Sequence, residues 1–149
     1  MKSGVDFIGV GIGAIIIKDG KLFASFRGPK SRNEVGKWEF PGGAVEFGDT
    51  LKETVVREMK EEFGIGIEII DTLGVVDHIS PKEKQHWVTT GFVCRIVKGV
   101  PHILEPDKCE KIGWFTPDEL SKMNVSSITT KRLVALKQKY PDGLPNFKN

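Results

Sequence analysis

The sequence predicts a layered α/β domain around a mixed sheet. Two observations carry this. Apolar runs with strand character occur at Ile8–Ile17, Leu22–Phe26, Gly66–Val76, His86–Val97 and Ile112–Phe115. Segments with helical spacing lie among and after them, at about Thr50–Phe63 and Ser127–Tyr140. Hairpins interspersed with helices imply α+β or α/β layers. A length of 149 residues predicts one domain, spanning 1–149, with a core of useful size. No repeat, low-complexity stretch or linker divides it.

Each element has a local reason. Asp19-Gly20 between the first two strands is a hairpin turn signal. Gly28 to Asn33 reads as a polar loop, and Trp38 to Phe40 as a short extended piece. The first long helix has Thr50 and Glu53 at capping-box spacing, with Asp49 as the other candidate N-cap. Leu51, Val55, Val56, Met59 and Phe63 form its apolar face, and Gly64 stands where a left-handed cap belongs. Thr116-Pro117-Asp118-Glu119 opens a short helix, with a capping box and proline at the first helical position. The last helix counts Ile128, Val134 and Leu136 among its apolar residues. Pro141-Asp142-Gly143 ends it, and a mobile tail to Asn149 is expected.

Composition narrows the function. A net charge of +2 is too small to mark a nucleic-acid binder. Cys94 and Cys109 are far apart and in no Cys-x-x-Cys pattern, so they read as reduced thiols of a cytoplasmic protein. The apolar run Phe7 to Ile17 is too short to span a membrane. It reads as a buried strand rather than a signal peptide.

Charge placement in the first long helix is unusual. At about 100° per residue, Glu58, Glu61 and Glu62 share one arc of the helix surface. Like charges at this spacing repel by a few tenths of a kcal/mol per pair. The helix C-terminus disfavours each carboxylate by about 0.3–1 kcal/mol more. A divalent cation would reverse both penalties, and carboxylate oxygens suit Mg²⁺ or Mn²⁺. A solvated acidic face would be the better reading of the glutamates alone. Trp38 to Asp49 upstream changes the odds, because Pro41-Gly42-Gly43 reads as a tight turn that lets backbone approach a ligand.

The stretch from Gly43 to Ile65 resembles the signature of the Nudix hydrolases, Gly-x5-Glu-x7-Arg-Glu-U-x-Glu-Glu-x-Gly-U, with U a bulky aliphatic residue. Here it runs Gly43, five residues, Asp49, seven residues, then Arg57-Glu58-Met59-Lys60-Glu61-Glu62-Phe63-Gly64-Ile65. Asp49 stands where the family has glutamate. Val10 to Gly13, Phe40 to Gly43, Glu46 to Gly48, and Glu105 to Glu110 followed by Trp114 also look like the MutT-like nucleoside triphosphate pyrophosphatases. The resemblance covers about Val5 to Leu120.

This resemblance implies an α/β/α sandwich with a central mixed sheet. It also implies metal-dependent hydrolysis of a nucleoside diphosphate linked to a group X. Such chemistry needs neutralised phosphates, a positioned water and a divalent cation. By the family pattern Glu61 and Glu62 are the leading ligands of Mg²⁺ (or Mn²⁺), with the Gly42 carbonyl contributing. Glu58 is a ligand or the general base. Arg57 orients acidic residues, with Glu53 or Asp49 as its partner. A salt bridge or helix cap at Asp49 survives the shorter side chain. Related proteins are often homodimers, and the same is expected here.

Residues outside the signature carry weaker signals. Glu105 and Glu110 are candidates for an additional carboxylate, though a solvated loop acid explains either as well. Of Arg27, Lys30 and Arg32, Arg27 is the best candidate for a substrate contact because it ends a strand. Trp87, Phe47 and Trp114 are candidates for stacking on a base, with Trp87 first, although an aromatic at strand spacing usually serves the core. His78, His86 and His102 show no metal spacing, and Cys109 has no part in this chemistry.

The leading reading is hydrolysis of a nucleoside or deoxynucleoside triphosphate to the monophosphate and pyrophosphate, which includes clearance of damaged nucleotides. A second reading keeps the chemistry and changes X to a nucleotide sugar, ADP-ribose or dinucleoside polyphosphate. A third, from a different class, is a nucleotide-binding sensor without turnover, with Asp49 as its support. Stable binding to nucleic acid or membrane is not expected.

Overall fold

The computed structural model describes residues 1–31 and 33–147. The strands are β1 (Gly9–Lys18), β2 (Lys21–Arg27), β3 (Trp38–Glu39), β4 (Gly42–Ala44), β5 (Gly66–Ser80), β6 (Gln85–Lys98) and β7 (Cys109–Phe115). The helices are α1 (Leu51–Phe63), α2 (Pro117–Ser121) and α3 (Ser127–Lys139). The main sheet path is β3-β2-β1-β6-β5, with β4 paired to β1 and β7 to β2. β1 and β6 run parallel from Gly9↔Trp87 to Ile16↔Cys94, and the other pairings are antiparallel, so the sheet is mixed.

The alternation of β1 explains the layers, because successive side chains point to opposite faces. Ile12, Ala14 and Ile16 join Val55, Met59 and Phe63 of α1 in one core cluster. Ile15 and Ile17 join Leu120 of α2 and Leu136 of α3 in a second. Helices therefore cover both faces, giving the α/β/α sandwich. Phe23 meets Phe63 edge-on with ring centroids 5.0 Å apart, an arrangement worth about 0.5–1.5 kcal/mol beyond area burial.

Helix boundaries follow their caps. Thr50 accepts from Glu53 N and begins α1, and Gly64 closes it at φ 67° in the left-handed region. Asp49 is free of capping and turns to Arg57. Thr116 and Glu119 form the reciprocal capping box of α2.

Several expectations need correction. Pro41-Gly42-Gly43 is not a tight turn: Gly42 opens β4, opposite Gly13. A Cβ at Gly42 would overlap the Ile12 carbonyl oxygen, so glycine is required there for strand proximity. Val56 and Val134 are exposed, while Thr54 and Leu133 take up buried or half-buried positions on their helices. Apart from these corrections, Leu144 and Phe147 of the terminal stretch pack against the second cluster. Arg32, Lys148 and Asn149 lie outside the described residues.

Both cysteines are buried free thiols. Among the described residues, no helix is long and apolar enough to cross a membrane.

Candidate active site

β4 brings the glycine loop against the end of α1. A Cβ at Gly43 would lie 2.7 Å from Glu58 Cδ, so the missing side chain leaves room for that carboxylate. Above this junction opens a cavity of about 740 Å³, within the size range of small-ligand sites. Glu58 and Glu62 of α1, Glu39 of β3, and Glu105 from the loop before β7 all line it. So do Gly42, Gly43, Arg27, Trp87, Thr89 and Arg132.

The carboxylates press on one another. Burial pushes the Glu62 carboxyl up to about 9, with Glu58, Glu39 and Glu105 adding to the rise and Lys108 opposing it. Burial also raises Glu58, while its hydrogen bond from Arg57 pulls the other way and Glu61 and Glu105 raise it further. Burial is the first cause of both rises, and the neighbouring carboxylates add to it.

Arg57 organises the outer side. It contacts Asp49, and its Nη2 lies 3.4 Å from Glu58 Oε1. Nε is 3.8 Å from Glu61 Oε1, and Nη1 is 4.0 Å from Glu46 Oε2. The Asp49 hydrogen bond is the main reason its pKa is raised. Asp49, rather than Glu53, is thus the partner of Arg57, and its shorter side chain still reaches.

The residues predicted from sequence separate into groups. Glu58, Glu62 and Gly42 come together at the cavity wall. Glu61 is exposed, turned toward Arg57, and does not line the cavity. Arg27 lines it with its guanidinium bonded to Glu39 and with Nε donating to Asn33 O at 2.6 Å. Trp87 is only 5% exposed, donates from Nε1 to Gln85 Oε1 at 2.9 Å, and is covered by the Gly4 and Gly9 backbones. Glu105 faces the cavity, whereas Glu110 is exposed on β7. Phe47 is fully exposed and Trp114 packs against the first core cluster. His78 is buried, with Nδ1 3.2 Å from Ser127 Oγ.

Sequence reasoning missed Glu39 and Arg132. Glu39 carried a faint signal, a charge between Trp38 and Phe40 in an extended segment. Arg132 carried none, since a basic residue on a terminal helix ordinarily reads as solvated.

Among the described residues, no three His, Cys, Asp or Glu side chains converge at metal-binding spacing. The chemistry of the donor set is more informative. Several carboxylates, two of them with raised pKa, share one wall with a glycine backbone segment. This oxygen-rich set fits a hard divalent cation.

The fold, the acidic wall and the Arg57 network together define a hydrolase of the Nudix class. The NUDIX domain matches residues 8–135, and the chain belongs to that family. A MutT-like protein of Streptomyces ambofaciens is 31% identical over 124 residues, which cover 83% of this chain and 73% of the relative. An ADP-ribose pyrophosphatase of Methanocaldococcus jannaschii is 31% identical over 114 residues, covering 76% of this chain and 65% of the relative. The crystal structure of a MutT NUDIX hydrolase from Burkholderia pseudomallei matches with a TM-score of 0.81 at 35% identity, covering 88% of this chain and 99% of that one.

Proposed function

We propose that this Nudix hydrolase cleaves a nucleoside or deoxynucleoside triphosphate to the monophosphate and pyrophosphate, using Mg²⁺ or Mn²⁺. The carrying observation is the division of one cavity into an acidic wall and an inner wall with hydrogen-bond donors. Glu62, Glu58 and the Gly42 carbonyl would hold the cation, with Glu105 beside them and Glu61 from the outer side. When bound, the cation neutralises phosphate charge and acidifies water. Glu58 would serve as a ligand of the cation or, instead, as the general base that takes a proton from the attacking water; its half-buried carboxyl, with its raised pKa, supports the second role. Arg57 positions Glu58 and Glu61 and is itself held by Asp49. Arg27 and Trp87 shape the substrate side of the wall.

The buried, unpaired cysteines support a reducing, cytoplasmic setting. Exposed Val5, Phe7, Ile8, Val75 and Ile79 support a homodimer, which sedimentation would reveal. Hydrolysis of another nucleoside diphosphate-X compound is the second reading, favoured by the similarity to an ADP-ribose pyrophosphatase.

The test is phosphate and pyrophosphate release from nucleoside triphosphates, ADP-ribose and a nucleotide sugar, with and without Mg²⁺, for wild type and Glu62→Gln. Metal-dependent pyrophosphate release that the substitution removes supports the proposal. Turnover of ADP-ribose alone would move the assignment to the second reading. Nucleotide binding without any turnover would leave a sensor.

A further inference from the structure

The inner wall of the cavity holds a charged group that the hydrolytic machinery does not use. Arg132 on α3 is 2% exposed. Its guanidinium lies across the β1–β6 pair where Gly13 stands opposite Gly91. A Cβ at Gly13 would sit 3.3 Å from Arg132 Nε, and a Cβ at Gly91 would overlap Nη1, so the two glycines make its bed. Nη2 donates to Thr89 Oγ1 at 3.0 Å. Nη1 is buried with no hydrogen-bond partner among the described residues. A guanidinium carries five N–H donors, and the Thr89 bond uses one.

Nearby hydroxyls are committed elsewhere. Ser126 Oγ and Thr129 Oγ1 lie 2.8 Å apart and bond each other, and Thr129 Oγ1 also accepts from Phe40 N. Among the described residues no carboxylate pairs with it: burial lowers the Arg132 pKa to about 10, so it stays protonated at neutral pH. Structural buried arginines end on carboxylates or carbonyls. Arg132 does neither with Nη1, and it lines a ligand-sized cavity beside Thr89 and Ile128.

We propose that Arg132 reads the base of the substrate, donating to a keto oxygen on the base edge remote from the sugar. This rests on the nucleotide reading above. Phosphates belong at the acidic wall, where a cation can neutralise them. The base then enters the inner end with its far edge leading. A 6-keto purine or 4-keto pyrimidine presents an acceptor there. The amino counterpart presents N–H donors to N–H donors, leaving both sides unsatisfied, and sites of this kind discriminate strongly.

Inosine and adenosine nucleotides isolate the choice, since they differ at the purine 6-position. Wild type should show a kcat/KM for ITP about 10- to 100-fold above that for ATP. Arg132→Met should bring the two within about threefold, mainly through KM, because the donor is gone. Gly91→Ala, which displaces the guanidinium without removing it, should shrink the preference in the same direction. Binding of IMP and AMP in EDTA gives a second readout free of metal and turnover: IMP should bind wild type more tightly than AMP, and Arg132→Met should lose the difference. Circular dichroism and thermal melting check folding, and if Arg132→Met does not fold, Gly91→Ala and wild-type IMP/AMP binding decide. Equal use of ITP and ATP by wild type, or a preference kept in a folded Arg132→Met, overturns the proposal. So does a variant that keeps the IMP/AMP difference but loses affinity for inorganic tripolyphosphate, since Arg132 would then be a phosphate contact. If wild type hydrolyses no nucleoside triphosphate, the nucleotide reading fails by itself, and the monophosphate binding pair still decides the role of Arg132.

Discussion

Helices α1 and α3 are each 13 residues long and cover opposite faces of the sheet, yet both deliver charge to one cavity. α1 brings Glu58 and Glu62 from its last turns, among other carboxylates. α3 brings a single cation, Arg132, almost sealed from water. The two ends relieve their strain differently. A buried carboxyl can take up a proton, and burial pushes Glu62 that way, up to about 9. A guanidinium with a pKa of about 10 remains charged at neutral pH. The acidic end can therefore stand in two protonation states, whereas the inner end stays cationic and gains only when an acceptor arrives. With a divalent cation at the acidic end, as proposed above, such a cavity would suit a ligand that brings phosphates to that cation and a polar ring with acceptors to the other end.

The comparison can be broken at the acidic end first. Glu62→Gln should lower kcat by about 10²–10³-fold at saturating Mg²⁺, comparable to losing one preorganised electrostatic group. Glu61→Gln, on an exposed residue outside the cavity wall, should lose about tenfold or less. Equal losses in steady-state assays would show that the exposed glutamate takes an equal share, and would erase the distinction between wall and rim. Next come the cores beneath each helix. Met59→Ala under α1 and Leu136→Ala under α3 should each destabilise by about 2–5 kcal/mol in urea unfolding, because both side chains are buried. A markedly smaller value for Leu136 would show that the α3 face collapses around the change.

A smaller effect sharpens the electrostatic contrast. In EDTA, Glu62→Gln should be more stable than wild type by about 1 kcal/mol at neutral pH, because folding wild type must hold Glu62 against its raised pKa and an amide carries no such cost. Addition of Mg²⁺ should then raise the melting temperature of wild type more than that of the variant. The smallest effect is expected at Val134, which is exposed on α3. Val134→Ala should change stability by about 0.5 kcal/mol or less. Together with Leu136 it measures which face of α3 is buried.

The acidic end was legible because it is local. Glu58, Glu61 and Glu62 sit within a turn of one helix, and the spacing from Gly43 to Gly64 fixes a loop, a cap and a helix in succession. The partner of Arg57 was only half readable: Glu53 and Asp49 were both candidates, and the fold at the start of α1 chose Asp49. The sequence did not separate Glu62 from Glu61, although they are neighbours. One turns to the wall and the other to Arg57, a choice made by the packing of α1 against β4. Pro41-Gly42-Gly43 was misread for a related reason. Turn-forming residues signal backbone freedom, and here that freedom serves close strand contact with Ile12.

The sequence by itself determined the helices and every strand but β4, the caps at Thr50, Gly64 and Thr116, and the acidic signature, because these depend on neighbours within a few residues. The tertiary structure decided what joins them. Glu39 reaches the acidic wall only because β3 pairs with β2, and Glu105 only because its loop folds over the end of α1. Arg132 becomes a buried cation only when α3 crosses the glycines of β1 and β6. Desolvation and charge coupling depend on distance in space, and chain positions as far apart as Gly13, Gly91 and Arg132 acquire that distance only through the fold.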